Sequence, residues 1–328
     1  MSNLTDSDPE KDNGPVEIKQ NVDHDSVQSD LETISEATTW WIILRRFRKN
    51  QVALLGLGFL GFFAFLAILS YLDTILTLIF GQGIFPYGPN EIFANGASSF
   101  EPPSLEHIFG TDNVGRDIFI RIIYGARISM TVGFLAVLVS LSAGTFLGLI
   151  AGYYGGVIDS IISMILEMLL AFPSILLALA ILAIFGSSLT NAMIAVGIVY
   201  IPYYARIVRG QVFVERELMY VESAKVLGAK TPRILMKHIL PNVFGVLIIY
   251  TSLGIGTAIL EVAALSFLGL GALPPTAEWG SMIADGRYYW LSGPHLVFFP
   301  GIAILLAVLS FNLVGDGLRE ALDPRFKR

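Results

Sequence analysis

Six apolar runs alternate with polar stretches along the chain, near Val52–Leu72, Ile128–Ala151, Val157–Phe185, Leu189–Ile207, Val243–Leu268 and Leu296–Val314. Each is long enough to cross a hydrocarbon core of roughly 30 Å. Backbone groups in lipid must be paired within the protein, so these runs are predicted to be helices. The ~10-residue alternating segments that mark a membrane barrel are not visible. The pattern therefore predicts an all-α membrane protein with six transmembrane helices.

Two of the polar stretches are long. Residues 73–127 separate the first two runs. Their start, Ile75–Phe85, is apolar but broken by Gly81 and Gly83, and reads as the frayed end of the first helix or an interfacial segment. Pro86, Pro89, Pro102 and Pro103 keep the middle irregular, and Asp117–Arg127 reads as an amphipathic helix leading into the second span. The other stretch, Arg206–Pro241, holds seven of the Lys and Arg residues between the fourth and fifth runs. Within it, Glu215–Leu227 places Leu218, Val221, Ala224 and Leu227 at helical spacing. Gly228 suits a helix C′ position, where positive φ is cheap. Thr231 as N-cap and Pro232 at N1 predict a second short helix that Pro241 stops at the membrane. The expected shape is helix, Gly turn, helix.

Within the runs, Gly144, Gly148 and Gly152 recur every fourth residue, a face that admits another helix backbone. Pro173 interrupts a run of 29 residues and predicts a bend after an interfacial start. Two acids fall in apolar surroundings. Glu167 either lines a pathway or sits near the headgroups. Glu261 either faces solute or a bound ion in a pore, or lies near the exit end as a capped acid.

Composition adds the class. Mean hydropathy is +0.67, 54% of residues are apolar and 15% charged, the profile of a polytopic membrane protein. The chain has no cysteine, which excludes disulfides and thiol chemistry. Net charge is -6. Ten acids and two lysines crowd residues 1–39, which read as a disordered acidic tail rather than a signal peptide. Trp40 and Trp41 beside Arg45, Arg46, Arg48 and Lys49 mark the cytoplasmic side of the first span. With both termini cytoplasmic, fifteen Lys and Arg fall inside and four outside (Arg116, Arg121, Arg127 and Arg287). The bias has the expected sign. The divisions are 1–39, the tail; 40–127, the first helix and external loop; 128–316, the transmembrane core; and 317–328, a cytoplasmic tail.

No Gly precedes a Lys, so there is no Walker A loop, and the four histidines are scattered, with no His-Glu-x-x-His. No catalytic constellation and no metal or cofactor site is visible. An ion-gradient-driven secondary transporter is the competing class, but the repeated halves common there are not apparent.

The order Glu222-Ser223-Ala224, Gly228, Leu240-Pro241 resembles the signature loop of binding-protein-dependent ABC importer permeases. Ser223 replaces the usual middle Ala, and His238 stands where the family has Ile. A second set resembles the entry to span two in C-type (DppC/OppC-like) subunits of dipeptide and oligopeptide importers. It runs from Pro102-Pro103-Ser104 through Gly110-Thr111-Asp112 and Gly115-Arg116-Asp117 to Gly125-Ala126-Arg127. Asp323-Pro324-Arg325 is similar to the subfamily's ending. The resemblance implies a MetI-like permease fold in the cell membrane, with a long external loop after helix 1 and a cytoplasmic coupling loop between helices 4 and 5. It implies four kinds of partner: a second, B-type permease, cytoplasmic ABC ATPase subunits that bind the ATP, an extracytoplasmic solute-binding protein, and membrane lipid. It implies no nucleic acid. Peptide is the expected solute, with nickel or another small solute as the alternative within the family.

Overall fold

The computed structural model describes residues 36–93 and 96–322. Most of the acidic tail and the Asp323-Pro324-Arg325 ending lie outside the described residues. The chain divides after Leu44, and the described residues from Arg45 onward form one packed unit. Among the described residues the structure is helical, with one isolated β-bridge between Thr111 and Asp117.

Helix α1 (Glu36–Phe47) opens the described chain, so residues 36–39 are helical rather than part of a tail. Helix α2 (Gln51–Phe80) starts at Asn50, whose side chain accepts from the Ala53 N–H, and ends on Gly81 at φ 71°. Its 30 residues carry the first span through Ile75–Phe80, the stretch read as a frayed end. The buried positions Ala53, Gly56, Phe63, Leu66, Ser70 and Asp73 form one stripe, while Phe65, Ile68 and Leu78 are exposed. Such a one-sided helix suits an apolar solvent on its other faces.

Helix α3 (Ile118–Tyr154) is continuous over 37 residues. The amphipathic lead-in and the second span are therefore one helix, capped by the Asp117 side chain accepting from the Ile120 N–H. Helices α4 (Gly156–Leu170) and α5 (Ser174–Phe185) meet at 91° across Ala171–Pro173. This is the predicted bend, where Pro173 has no N–H to give to the preceding turn. Helices α6 (Leu189–Val199) and α7 (Ile201–Glu215) make one span of 27 residues with an irregularity at Tyr200. The fourth span thus runs eight residues past Ile207, and Pro202 lies near its middle, not its cytoplasmic end.

The small-residue stripe has its partner. A methyl group on Gly148 would lie 2.6 Å from the Ala205 carbonyl oxygen, and one on Gly144 2.6 Å from Tyr204 Cβ. Gly152 meets Val212 in the same way. Only hydrogen at these positions lets α3 and α7 approach so closely.

After a short helix α8 (Met219–Val226), the chain passes through α9 (Thr231–Ile234) and a π turn (Leu235–Ile239) into α10 (Leu240–Phe267). These last three form one 37-residue helix. Pro241 therefore does not stop the second arm, which is the root of the fifth span. Helix α11 (Trp279–Gly286) lies in the loop before α12 (His295–Leu322). Because α12 reaches Leu322, residues 317–322 extend the last span rather than forming a tail. Among the described residues five helices are long and apolar enough to cross a membrane, six with the bent α4–α5 pair as one span.

The segment between α2 and α3 folds onto the ends of the helices. The Asp73 carboxylate accepts from Ile84 N–H at 2.5 Å, from Phe85 N–H at 2.9 Å and from the Tyr124 hydroxyl. Arg121 donates to the carbonyls of Pro89 and Pro275, tying two interhelical loops together. Glu278 is 2% exposed. It caps α11, accepting from Gly280 N–H at 2.9 Å and Ser281 N–H at 2.8 Å. Burial still pushes its carboxyl above the ordinary range, the two backbone donors opposing.

Candidate functional site

The charged loop is built from three pieces. Helix α7 ends at Glu215, three residues turn, and α8 begins at Met219. The helix predicted over Glu215–Leu227 is thus broken at Arg216–Leu218. Here Arg216 turns aside, its guanidinium donating to the Gly152 carbonyl at 2.8 Å. That cation meets the exposed carbonyl end of α3, where positive charge is favoured.

Only one face of α8 is buried, through Val221 and Ala224. Glu222 and Ser223 are exposed, the Ser223 hydroxyl bonding back to the Met219 carbonyl at 2.9 Å. Gly228 takes φ 79° as predicted for C′. The Gly228 N–H donates to the Lys225 carbonyl, and the Ala229 N–H reaches back to Ala224. Met219, Val226 and Leu227 are left more than 80% exposed, at 82%, 82% and 86%. Lys230, not Thr231, is the N-cap of the next helix, and no side chain caps it.

Leu240 and Pro241 sit where the π turn closes. The Leu240 N–H bonds to the Leu235 carbonyl, five residues back. This wider turn takes strain from a proline that cannot donate and whose ring would press on the preceding turn. The His238 carbonyl accepts from Asn242 Nδ2 at 3.1 Å and from the Tyr220 hydroxyl at 3.3 Å. The Tyr220 hydroxyl also donates to the Glu215 carboxylate. Desolvation, followed by that hydrogen bond to Glu215, raises the Tyr220 pKa. One tyrosine thus bridges the end of the fourth span and the start of the fifth. Sequence reading missed Tyr220 and Asn242, because their pairing depends on the break at 216–218.

The second motif is compact. Gly110 and Gly115 adopt φ 78° and 73°. Asp112 accepts from Arg116 Nε at 2.6 Å and from the Val114 and Arg116 N–H groups at 2.9 Å. The Thr111 hydroxyl donates to the Ser98 carbonyl at 2.7 Å, and His295 Nε2 lies 3.1 Å from the Thr111 carbonyl. Asp117 pairs with His107 at 2.8 Å, both buried. Arg127 stands apart from this knot. Its guanidinium lies 3.9 Å over the Tyr71 ring and reaches Thr74 on α2.

The two candidate acids separate. Glu167 is exposed on α4 and has no hydrogen-bond partner among the described residues. Glu261 accepts, on Oε1, from the Ser174 hydroxyl at 3.1 Å and the Tyr200 hydroxyl at 3.1 Å. Among the described residues no three His, Asp or Glu side chains could hold a metal ion.

Residues 144–328 match the family described as binding-protein-dependent transport system inner membrane component. Residues 38–103 match the N-terminal TM domain of oligopeptide transport permease C. The chain is 49% identical to the dipeptide transport system permease protein DppC of Alkalihalophilus pseudofirmus, over 88% of this chain and 90% of that one. It is 45% identical to the glutathione transport system permease protein GsiD of Pectobacterium atrosepticum, over 89% and 93%. Among solved structures, a chain of the inward-facing MetNI methionine ABC transporter aligns with TM-score 0.51 and 18% identity. That alignment covers 63% of this chain and 98% of the other, a likeness of fold.

Proposed function

The chain belongs to the family of binding-protein-dependent transport system inner membrane components, and on that premise we propose that it is the C-type subunit of an ATP-driven importer of dipeptides and oligopeptides. It is a multi-pass inner membrane protein. Its termini lie in the cytoplasm, and a B-type permease forms the other half of the pathway. Cytoplasmic ATPase subunits bind and hydrolyse the ATP, and an extracytoplasmic binding protein delivers the solute. The peptide assignment rests on the relatives named for dipeptide and glutathione transport.

The observation that carries this reading is α8. A short helix with Met219, Val226 and Leu227 exposed stands between two long rigid spans. An apolar cluster in water needs a covering surface, and here that surface is a groove on the ATPase. Glu222 sets the polar rim of the contact, and Gly228 sets the angle between α8 and the helix that follows. Closure of the ATPase dimer pushes α8, and the fourth and fifth spans move as units. The entry motif Gly110–Asp117 organises the external surface on which the binding protein lands.

The test is uptake by the complete importer. Gly228→Val and Glu222→Lys are each expected to cut ATP-dependent uptake at least tenfold while the subunit still assembles in the membrane. Uptake that persists without the ATPase subunits and collapses with the proton gradient would instead identify an ion-gradient-driven transporter. Mass spectrometry of the solute held by the purified binding protein is expected to find peptide. Nickel or another small solute there would correct the substrate and leave the rest standing.

A further inference from the structure

Glu261 lies in α10, and its Oε1 is held by two hydroxyls from different elements, Ser174 and Tyr200. Ser174 is the first residue of α5, just past the 91° break. Partial positive charge gathers at such a helix start and favours an ionised carboxylate nearby. Among the described residues Glu261 makes no salt bridge, and its Oε2 has no hydrogen-bond partner. An acid in a spanning segment is expensive and ordinarily pairs with something.

Tyr200 also lines a largely apolar cavity of about 250 Å³, whose wall includes Tyr203, Tyr204, Ser140 and Thr257 but not Glu261 itself. Thr257 is one helical turn before Glu261 on the same face of α10, and Tyr200 belongs both to the cavity wall and to the carboxylate's support. A pre-oriented carboxylate oxygen thus adjoins, through Tyr200, a cavity with three tyrosines and two small hydroxyls on an otherwise apolar wall. Aromatic faces and a carboxylate together suit an organic cation, more than an anion or an apolar group.

We propose that Glu261, with Tyr200 and the tyrosine-lined cavity, holds the primary ammonium group of the solute during its passage through the membrane. The free Oε2 accepts from the ammonium, while Ser174 and Tyr200 keep the carboxylate from swinging away. This assigns to the permease a selection step of its own, separate from the choice made by the binding protein. It rests on the importer reading for the identity of the solute, but the site is defined by chemistry alone.

The test uses the purified permease–ATPase complex without binding protein. Its thermal unfolding is followed with trialanine and with N-acetyl-trialanine, which lacks the ammonium. Trialanine is expected to raise the melting temperature and the acetylated peptide to leave it unchanged. Glu261→Gln should weaken trialanine binding about tenfold, the scale of a charged hydrogen bond, and Glu261→Asp should retain most of it. Tyr200→Phe keeps the ring, removes the hydroxyl and should weaken binding several-fold, which covers the case of a Gln variant that does not assemble. Equal stabilisation by both peptides, or an undiminished shift in Glu261→Gln, overturns the proposal. So does the absence of any shift in the wild type. Uptake of trialanine by cells carrying the complete importer is measured in parallel. No ATP-dependent uptake despite an intact shift would sink the peptide-import reading and leave the ammonium site in place.

Discussion

Asn242 Nδ2 donates to the Tyr220 hydroxyl over 2.8 Å, joining the first turn of α10 to the α8 helix. The same hydroxyl donates to Glu215, the last residue of α7. Three elements, which under the proposed function move together to transmit force, thus share one phenol oxygen. Tyr220→Phe and Asn242→Ala each remove about 1 kcal/mol of hydrogen bonding from this junction. Both variants should assemble normally but hydrolyse several-fold more ATP per solute imported. A stoichiometry equal to wild type would show that the junction carries no coupling.

The α3–α7 contact gives a prediction about assembly. Gly148→Leu places side-chain atoms where a Cβ alone would be 2.6 Å from the Ala205 carbonyl. Backbone on both sides must move, at a cost of about 3 kcal/mol. The protein should melt at a lower temperature in detergent and accumulate poorly. Gly58→Leu is the control, since nothing lies within 4 Å of its Cβ direction, and it should behave as wild type.

In the knot before α3, Arg116 and Asp112 are both largely buried and joined at 2.6 Å. Arg116→Met keeps the two backbone donors to Asp112 but leaves the buried carboxylate with Arg121, at 3.9 Å, as its remaining cation among the described residues. Breaking one side of a buried pair costs about 3 kcal/mol. Limited proteolysis of spheroplasts should then cut within residues 98–116 much faster than in wild type, with the spans intact.

Glu278 predicts a pH dependence. Its carboxyl is pushed above the ordinary range by burial. Below the unfolded-state value the acid is protonated in both states and opposes nothing. As pH rises from there through the folded value, the unfolded state loses its proton first and stability falls. The melting temperature should therefore decline as pH rises above the ordinary glutamate value of about 4.5. Glu278→Gln should flatten that decline while losing one of the two caps on α11. An unchanged slope in the variant would assign the dependence to other groups.

The spans were legible because long apolar runs leave the backbone no alternative to helix. The Gly144–Gly148–Gly152 stripe and the Pro173 bend were legible for equally local reasons, a missing Cβ and a missing N–H. What was hidden depends on distant partners. Pro241 read as a stop because the π turn that accommodates it has no residue signature of its own. The helix expected over Glu215–Leu227 was broken by Arg216 reaching for Gly152, a contact between residues 64 apart. The knot before α3 was visible as a motif, but the pairing of His107 with Asp117 and the seat of Glu278 against Ser129 were not. Glu261 stayed open between two readings because its environment is supplied by Ser174 and Tyr200, 87 and 61 residues away.

The π turn at Leu235–Ile239 also sets a phase. Such a turn is an α-helix carrying one extra residue, so it rotates everything after it by about 100° relative to an uninterrupted helix. All of α10 inherits that offset, including which azimuth Glu261 takes toward Tyr200. A single deletion within Leu235–Ile239 would leave every apolar residue of the span in place and still aim them at the wrong neighbours. The charged loop and the polar site far along the same helix are thus kept in mutual register by one surplus residue, and an indel there should be far more damaging than any substitution.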